Sequence, residues 1–469
     1  MSETVLGAEH LSPEQVLARS DELRRGLGED VRDRMVSSLY GQAQTISERA
    51  VKTAGNRRWD FDQRIDRIVT SRLFGLPLML GILATVFWLT ILGANVPSQM
   101  LAEALFAVED WGAGVFASIG VPDWLNGLAW HGVYRGLAWV ISVMLPPMAI
   151  FFPIFTILED LGYLPRVAFN LDWLFRGAGA HGKQALTMAM GFGCNAAGVI
   201  ATRVIDSPRE RLIAILTNNF VPCNGRYPTL IMLAVIFVGA SFPPAFASVA
   251  AAGAVVGIVL IGVAFTLGVS WILSKTALQG EASAFTLELP PYRRPSVLRI
   301  LYTSLIDRTI FVLGRAIATA APAGAVIWLL ANIDWEGVSL AQHAVHALQP
   351  FGYALGLDGV ILLAYIIAIP ANEIVVPTML MAYLGVGMMT ELTDYDQIRA
   401  LLVDEHGWTL LTAVNLMLFS LLHNPCATTI LTIWKETRSA KWTALGALMP
   451  LGIAFVVCFL VATIWRAVA

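Results

Sequence analysis

Charged side chains are scarce in this sequence. Asp, Glu, Lys and Arg account for 14% of the 469 residues, and hydrophobic residues account for 57%. Soluble domains carry about 25% charged residues, so this composition is atypical of a water-soluble protein. The formal net charge of −3 also lacks the basic surplus that is typical of nucleic-acid binding. The sequence therefore predicts an all-α, polytopic membrane protein that lies in a lipid bilayer and binds no nucleic acid.

Cysteines are few, and nucleotide-binding motifs are missing. The four cysteines are dispersed in or beside apolar stretches, which does not fit the disulfide framework of a secreted protein. The sequence contains no Gly-x-x-x-x-Gly-Lys-Ser/Thr phosphate loop, no zinc-protease motif and no nucleophile elbow. We therefore expect no enzymatic activity and no permanently bound cofactor. Any energy source would be an ion gradient, the membrane potential, the substrate's own gradient or a separate protein.

The first 72 residues differ in character from the rest of the chain. They hold twelve of the 31 Lys and Arg residues. Two short helices are predicted here, the first beginning at Ser12 and the second carrying Val31, Met35, Leu39 and Ile46 on one face. The region is too short to bury a core of its own, so we expect it to dock on another surface.

Long apolar runs begin near residue 76. The first predicted span covers residues 76–96, and Arg64, Arg67 and Arg72 just before it place the N-terminus in the cytoplasm. Tryptophan-bearing runs over 97–135 predict interfacial helices, and a second span over 136–158 is interrupted by prolines. The runs together predict eight to eleven spans. The expected organisation is a cytoplasmic helical region (1–72), a first membrane half (73–288), a polar linker (289–308) and a second membrane half (309–469).

Four polar breaks interrupt the apolar runs. Two precede the linker and two follow it, and each half contains one Pro-Cys pair. A broken helix at membrane depth is tolerated only where it is buried in protein or lines a cavity. Paired breaks in two halves indicate a midplane binding site, as in secondary transporters. The breaks are Gly191-Phe192-Gly193-Cys194-Asn195, Val221-Pro222-Cys223-Asn224-Gly225-Arg226, Ile369-Pro370-Ala371-Asn372-Glu373 and His423-Asn424-Pro425-Cys426.

The side chains at these breaks are suited to a metal ion. Mixed sulfur, nitrogen and oxygen ligands favour a borderline divalent first-row metal such as Fe(II), Mn or Zn over Mg or Ca. His423 lies three residues before Cys426, close enough for both to face one ion. The candidate residues of the path are Cys194, Asn195, Cys223, Asn224, Glu373, His423 and Cys426, with Glu159, Asp160, Asn372 and Met190 as secondary candidates.

Most of these residues also have a purely structural interpretation. A cysteine in a membrane helix is often a small hydrophobe, which is the interpretation that we favour for Cys458. Arg226 would be an end-of-span side chain that reaches the interface, and Glu159 and Asp160 would be helix-end charges. Glu373 is different, because an ionisable group at mid-span costs several kcal/mol, which favours a function.

Sequence stretches from about residue 60 to the C-terminus resemble the membrane domain of the bacterial ferrous iron transport protein B family. Their order and spacing are retained along the chain. They are Asp66-Arg67-Ile68-Val69 through Leu76-Pro77, Leu158-Glu159-Asp160-Leu161-Gly162-Tyr163, Arg166-Val167-Ala168-Phe169, His181-Gly182-Lys183, Met190-Gly191-Phe192-Gly193-Cys194-Asn195, Ala201-Thr202-Arg203, Arg209-Glu210-Arg211-Leu212, Glu288-Leu289-Pro290-Pro291-Tyr292-Arg293, Ile369-Pro370-Ala371-Asn372-Glu373-Ile374-Val375, and Pro425-Cys426 before Lys435-Glu436-Thr437.

The resemblance implies two pseudo-repeated gate halves with broken or re-entrant helices, similar to nucleoside-transporter folds. It also implies Fe(II) uptake across the bacterial cytoplasmic (inner) membrane, with Fe(II) as the transported substrate. The gate cysteines of the family correspond to Cys194, Cys223 and Cys426, and its intramembrane glutamate corresponds to Glu373. Family members usually begin with a GTP-binding domain, whereas this sequence begins within the helical region that follows it.

The resemblance therefore implies a separate GTP-binding protein, no coupling to GTP, or a longer chain of which this sequence is part. It also implies small Feo accessory proteins and a homo-oligomer as further partners. Two alternatives to metal transport stay open at this point. One is a transporter of nucleosides or other small solutes, and the other is a non-transporting scaffold built on the gate fold. Cysteine at three of the four breaks favours the metal.

Overall fold

The computed structural model describes residues 14–15, 19, 22, 31–50, 57–71, 73–279, 291–390, 392 and 394–468. The predicted helix start at Ser12 lies outside these residues. The chain forms two compact units that separate between Ile65 and Asp66. The second unit contains every candidate membrane span. The domain boundaries given above stay a prediction.

The described residues are predominantly helical, which confirms the predicted fold class. The first twelve α-helices are α1 (Val31–Ala50), α2 (Arg57–Val69), α3 (Gly75–Ser118), α4 (Asp123–Asn126), α5 (Arg135–Asp160), α6 (Tyr163–Gly177), α7 (Gln184–Gly193), α8 (Asn195–Ala201), α9 (Pro208–Thr217), α10 (Tyr227–Leu233), α11 (Pro244–Lys275) and α12 (Val297–Thr303). The others are α13 (Phe311–Asn332), α14 (Leu340–Ala354), α15 (Gly359–Ile367), α16 (Val375–Leu384), α17 (Tyr395–Arg399), α18 (Leu410–Leu422), α19 (Ala427–Thr437) and α20 (Ala440–Val468).

Shorter elements extend or join these helices. Strands β1 (Asp334–Trp335) and β2 (Val338–Ser339) pair antiparallel, with Asp334 opposite Ser339. π-helical segments cover Gly127–Tyr134, Ala234–Val238, Ser304–Ile310 and Ala400–Glu405, and 3-10 turns cover Thr202–Val204, Asn218–Phe220, Asn224–Arg226, Gly239–Ser241 and Asn372–Ile374.

Local sequence explains where several helices of the membrane region begin. The hydroxyl of Ser207 accepts a hydrogen bond from the Glu210 amide, and Pro208 occupies the first position of α9. Asp358 and Thr409 cap α15 and α18 in the same way. These caps satisfy amides that a helix start otherwise leaves without partners.

The described residues contain seven helices that are long and apolar enough to cross a membrane, or eight if the bent pair α14–α15 counts as one span. The sequence prediction of eight to eleven spans therefore exceeds the number in the structure, except at its lower limit. Apolar runs that had been counted as spans, at 184–202 and 353–388, instead form the helix pairs α7–α8 and α15–α16. Each pair consists of two helices too short to span about 30 Å of hydrocarbon.

Two further expectations were wrong because proline does not end these helices. Helix α3 continues through Pro97 to Ser118, so the interfacial helices expected from residue 97 begin only at α4. Helix α5 continues through Pro146, Pro147 and Pro153. A proline removes one main-chain hydrogen bond, and neighbouring helices can compensate for that loss in a membrane protein.

The two halves repeat the same order of elements. The first half contains α5, the amphipathic α6, the hairpin α7–α8, the broken span α9–α10 and the unbroken span α11. The second half contains α13, α14, the hairpin α15–α16, the broken span α18–α19 and the unbroken span α20. Backbone angles agree at equivalent breaks: Cys194 has φ −153° and ψ 123°, and Ala371 has φ −153° and ψ 121°. This confirms two pseudo-repeated gate halves.

The two hairpins enter from opposite faces of the membrane region. We call the face that carries residues 291–296 the linker face. Hairpin α7–α8 is closed at the linker face, where Lys183 Nζ donates to Asp206 at 2.8 Å. Hairpin α15–α16 is closed at the opposite face, where the Tyr383 hydroxyl donates to Asp358. The repeats are therefore inverted with respect to each other.

Small residues bring the first spans of the two repeats into contact. A Cβ added to Gly324 of α13 would lie 2.3 Å from the Gly132 carbonyl oxygen, and one added to Gly136 of α5 would lie 3.1 Å from the Gly324 Cα. Such close backbone contacts are typical of membrane helices. One large hydrophobic core joins both repeats, and Phe220 and Leu421 are fully buried in it.

Candidate functional site

All four breaks meet at one cavity of about 30 Å³. A buried water molecule needs roughly 10–15 Å³, so this cavity has room for about two. The predicted residues that line it are Cys194, Asn195, Cys223, Asn224, Asn372, Glu373 and Cys426. The structure thus brings together two predicted residues from each repeat's hairpin turn and the cysteine of the Pro-Cys pair from each broken span.

The turn of hairpin α7–α8 contains Cys194, whose extended backbone separates the two helices. Asn218 of the broken span braces this turn, and its Nδ2 donates to the Asn195 carbonyl oxygen at 3.0 Å. A Cβ on Gly191 or Gly198 would lie within 2.8 Å of the Asn218 side chain, so these two glycines leave room for it. The position of Cys194 is therefore fixed by tight packing.

Cys223 and Cys426 occupy equivalent positions at the breaks of the two broken spans. Each follows a proline and immediately precedes the next helical turn. The Cys426 sulfur lies 3.3 Å from the Thr429 hydroxyl, and the Cys223 sulfur lies 3.8 Å from Asn372 Nδ2. Both thiols therefore have only weak polar partners, which a metal ion could replace.

Glu373 lies across the cavity from the first repeat. A Cβ added to Gly225 would lie 2.3 Å from its Oε1, so the carboxylate packs directly on the Gly225 main chain. Its side chain is partly exposed, in contrast to the buried Asn372 next to it. The carboxylate thus stands beside the break that carries Cys223.

His423 does not line the cavity. Its Nδ1 lies 2.9 Å from the Ser420 carbonyl oxygen, and its Nε2 lies 3.2 Å from Asn372 Oδ1. Both ring nitrogens therefore contact protein atoms, and Asn372 is the residue through which His423 reaches the cavity. The expectation that His423 and Cys426 face one ion does not describe this conformation.

The remaining secondary candidates lie elsewhere. Met190 packs in an apolar cluster with Phe151, Phe155 and Cys194 and does not line the cavity. Glu159 and Asp160 are exposed at the end of α5. Cys458 of α20 is fully buried against α18, where its sulfur lies 3.5 Å from the Asn415 carbonyl oxygen. It is not at a break.

The sequence interpretation missed five lining residues outside the four breaks: Met144, Met148, Ala316, Thr428 and Thr429. The two threonines follow Cys426 closely, so their place in the break was a usable signal. The methionines are four residues apart on α5, where an unbroken apolar helix offers no such signal. Arg226 was assigned wrongly, because it is 1% exposed and does not reach an interface.

The described residues contain no group of three His, Cys, Asp or Glu side chains placed closely enough to hold a metal ion. The thiols and the carboxylate surround the cavity without forming a compact ligand cluster. Chemically, the arrangement offers soft sulfur, amide oxygen and one carboxylate around a small space. A bound ion would have to draw these groups inwards.

Comparison with known proteins places these breaks in a family context. The Gate family, described as "Nucleoside recognition", matches residues 141–237 and 313–440, which include all four breaks. The family described as "Ferrous iron transport protein B C terminus" matches residues 255–307. The protein named Fe(2+) transporter FeoB from Staphylococcus aureus (strain MSSA476) is 30% identical over 414 residues, which cover 85% of this chain and 58% of that protein. The chain is a homologue of the membrane part of FeoB.

Other relatives agree with this assignment. A Fe(2+) transporter FeoB from Synechocystis sp. is 29% identical over 84% of this chain and 62% of its own length. A protein named Fe(2+) transport protein A/Fe(2+) transporter FeoB fusion protein from Porphyromonas gingivalis is 27% identical over 85% of this chain and 51% of its own length. The chain therefore spans less than two thirds of these FeoB relatives. No solved structure matches it.

Proposed function

We propose that this protein transports a divalent first-row metal ion, most favourably Fe(II), through the cavity at which the four breaks meet. One observation carries the proposal. Three thiols and one carboxylate, contributed by both repeats, line a single small cavity in a homologue of proteins that are named Fe(2+) transporters.

The chemistry of the lining supports Fe(II) over harder cations. Thiolate sulfur selects borderline and soft metals, whereas Mg and Ca prefer sites made of oxygen alone. The dispersed thiols also suit a transported ion, because a permanent tetrahedral cage would bind too tightly to release it. Thiolates bind metal only when deprotonated, so metal binding should release protons and strengthen as pH rises.

The alternative of nucleoside transport has no support from the cavity. A nucleoside is much larger than the two water molecules for which the cavity has room. Three sulfurs in the lining offer poor hydrogen-bonding partners for a base or a ribose. The description of the Gate family as "Nucleoside recognition" therefore indicates a shared fold and does not by itself indicate a nucleoside substrate.

The distribution of charge supports an N-terminus on the cytoplasmic side of the bacterial inner membrane. Residues 333–358 and 394–409, on the opposite face, contain seven Asp or Glu residues and one basic residue, Arg399. Residues 275–279 and 291–299, on the linker face, contain four Lys or Arg residues. Basic residues are retained on the cytoplasmic side of a membrane. The linker face and the N-terminal helices would then be cytoplasmic.

Partner proteins belong to the same proposal. A separate GTP-binding protein and small Feo accessory proteins would act at the cytoplasmic face, and a homo-oligomer is also compatible with the fold. The fusion of an Fe(2+) transport protein A to FeoB in a relative supports an accessory protein.

Metal uptake into proteoliposomes tests the function. We expect Fe(II), with reductant present, to be taken up in preference to Mg(II) and Ca(II) across a panel of metals. The triple variant Cys194→Ser, Cys223→Ser, Cys426→Ser should lose this uptake while it expresses and folds. Cys458→Ser is the matched control, because its thiol is buried away from the cavity.

Two results would contradict this proposal. Undiminished Fe(II) uptake by the folded triple variant would show that the cavity thiols do not carry the ion. Uptake of a radiolabelled nucleoside by the wild type, without metal uptake, would support the alternative function.

A further inference from the structure

Arg226 is the largest charged group at the breaks that metal coordination does not use. It ends the 3-10 turn Asn224–Arg226 that follows Cys223, and only 1% of its surface is exposed. No ion pair of the described residues includes it, and its Nε has no hydrogen-bond partner. A buried guanidinium without a carboxylate partner is costly, which argues against a bystander.

Its hydrogen bonds cross from one repeat to the other. Nη1 donates to the carbonyl oxygens of Asn219 at 2.9 Å and Leu421 at 2.7 Å. Nη2 donates to Asn219 Oδ1 at 3.1 Å and to the carbonyl oxygens of His423 at 3.3 Å and Asn424 at 3.4 Å. Three of these acceptors therefore lie in the second repeat, one in the last turn of α18 and two in the break that follows it.

Two features make this contact specific. The carbonyl end of α18 carries partial negative charge, which favours a cation there. Asn219 adds a second bond across the same junction, because its Nδ2 donates to the His423 carbonyl oxygen at 2.7 Å. The planar fork of arginine reaches several carbonyls at once, which a lysine ammonium cannot do in a fixed geometry.

We propose that Arg226 is a positioning residue that fastens the two broken spans to each other and thereby sets the separation of the Cys223 and Cys426 thiols. The proline-cysteine pairs lie directly beside the two ends of this contact. Arg226 itself binds no metal. The proposal rests on the metal-transport function given above, and it adds the device that holds the ligands of the two repeats in register.

Co(II) binding provides a readout that does not depend on transport. Thiolate ligands give Co(II) an intense sulfur-to-metal charge-transfer absorption, so purified protein titrated with Co(II) reports both the affinity and the number of sulfur ligands. We expect Arg226→Gln to bind Co(II) about 10- to 100-fold more weakly, as is typical when a residue that orients metal ligands is removed. The charge-transfer band should fall with it.

Further variants separate positioning from charge and from folding. Arg226→Lys keeps the charge without the fork and should be defective as well. Asn219→Ala removes the second bond and one side-chain acceptor of Arg226 but leaves the main-chain acceptors in place, so it should weaken Co(II) binding less. Arg466→Gln is the control, because Arg466 donates to the Tyr353 carbonyl oxygen at 2.6 Å on the exposed end of α20.

The outcomes distinguish this proposal from the proposed function. If the wild type shows no charge-transfer band, the thiol site itself is wrong. If the wild type shows the band and folded Arg226→Lys matches it in affinity and intensity, positioning by the fork is wrong. If Arg226→Gln does not fold, the other two variants decide. The proposal is then overturned if Asn219→Ala and Arg226→Lys both show the same charge-transfer band as the wild type.

Discussion

Glycine and glutamate cooperate at the cavity in a way that only the three-dimensional structure reveals. Gly225 lies in one repeat and Glu373 in the other, yet the carboxylate occupies the space that a side chain at Gly225 would need. The φ angle of Gly225 is not positive, so its backbone conformation does not itself require glycine. Glycine is needed here because the Glu373 carboxylate packs closely against its main chain. A substitution there should move a carboxylate that lies far away in the sequence.

Gly225→Ala and Glu373→Gln should therefore have similar effects. The new methyl group would lie 2.3 Å from Glu373 Oε1, so the flexible side chain must rotate out of the cavity. We expect each variant to reduce Fe(II) uptake by about tenfold, with little change in unfolding temperature. Uptake into proteoliposomes and thermal unfolding measure the two effects.

A matched glycine provides the control for this pair. Gly257 lies on α11, and a Cβ there would meet no atom within 4 Å, so Gly257→Ala should behave as wild type. If Glu373→Gln retains full uptake with the same pH dependence, the glutamate is structural, and the interpretation of Gly225 fails with it.

At the scale of elements, a partly buried ion pair joins three distant segments at the linker face. Arg166 of α6 donates to Asp66 of α2 at 2.9 and 3.1 Å, and Tyr292 of the linker donates to Asp66 at 2.8 Å. The guanidinium also lies 4.1 Å from the centre of the Tyr292 ring. Asp66, Arg166 and Tyr292 all belong to stretches that carry the family resemblance, and here they meet.

Acid should loosen this junction. Burial opposes the ionisation of Asp66, but hydrogen bonds from Arg166 and Tyr292 outweigh it and hold the pKa of the carboxyl below its usual value. A carboxyl with a lowered pKa in the folded state stabilises the fold above its unfolded pKa of about 4, and this contribution is lost as pH falls through the folded pKa. Thermal unfolding between pH 7 and pH 3 measures the loss.

Asp66→Asn should remove that part of the pH dependence. The variant should be less stable than wild type at pH 7, and the difference should shrink as pH falls below about 4, because Asp66 of the wild type becomes protonated first in the unfolded and then in the folded state. Asp206→Asn is the control, since Asp206 is 75% exposed beside Lys183 and surface pairs contribute little. Parallel pH profiles for wild type and Asp66→Asn would contradict the assignment.

How far sequence predicts this structure depends on the kind of signal. The four breaks were predictable, because polar and proline residues within apolar runs are costly unless they line a cavity. The prolines of α5 are the same local signal, yet α5 is continuous. The packing of neighbouring helices decides whether a proline is tolerated, and a local pattern does not contain that information. Arg226 was misassigned because its partners are main-chain carbonyls about 200 residues away, which no local pattern encodes.

The whole molecule combines this membrane region with N-terminal helices that have an apolar face of their own. Met35, Leu39 and Ile46 of α1 are exposed by 62%, 62% and 66%, as the amphipathic pattern predicted. This exposed apolar face supports our proposal that residues 1–60 dock a separate GTP-binding protein.

Deletion of residues 1–60 tests this docking. We expect the deletion to abolish co-purification of a GTP-binding protein from native membranes and to reduce Fe(II) uptake in cells. Uptake by purified protein in liposomes without nucleotide should then change little, because no partner is present in either sample. If wild type without a partner transports at the full cellular rate and the deletion is silent in cells, the helices simply lie on the membrane surface.

Inversion of the two repeats has a consequence for motion. One hairpin reaches the cavity from the linker face and the other from the opposite face, so each repeat contains half of an entrance. If the repeats exchanged their conformations, the molecule would adopt a second state related to the first by the pseudo-twofold axis in the membrane plane. The cavity would then open alternately to either side of the membrane. In such a cycle the central thiols need hardly move, and the chain needs only one set of ligands to face both compartments.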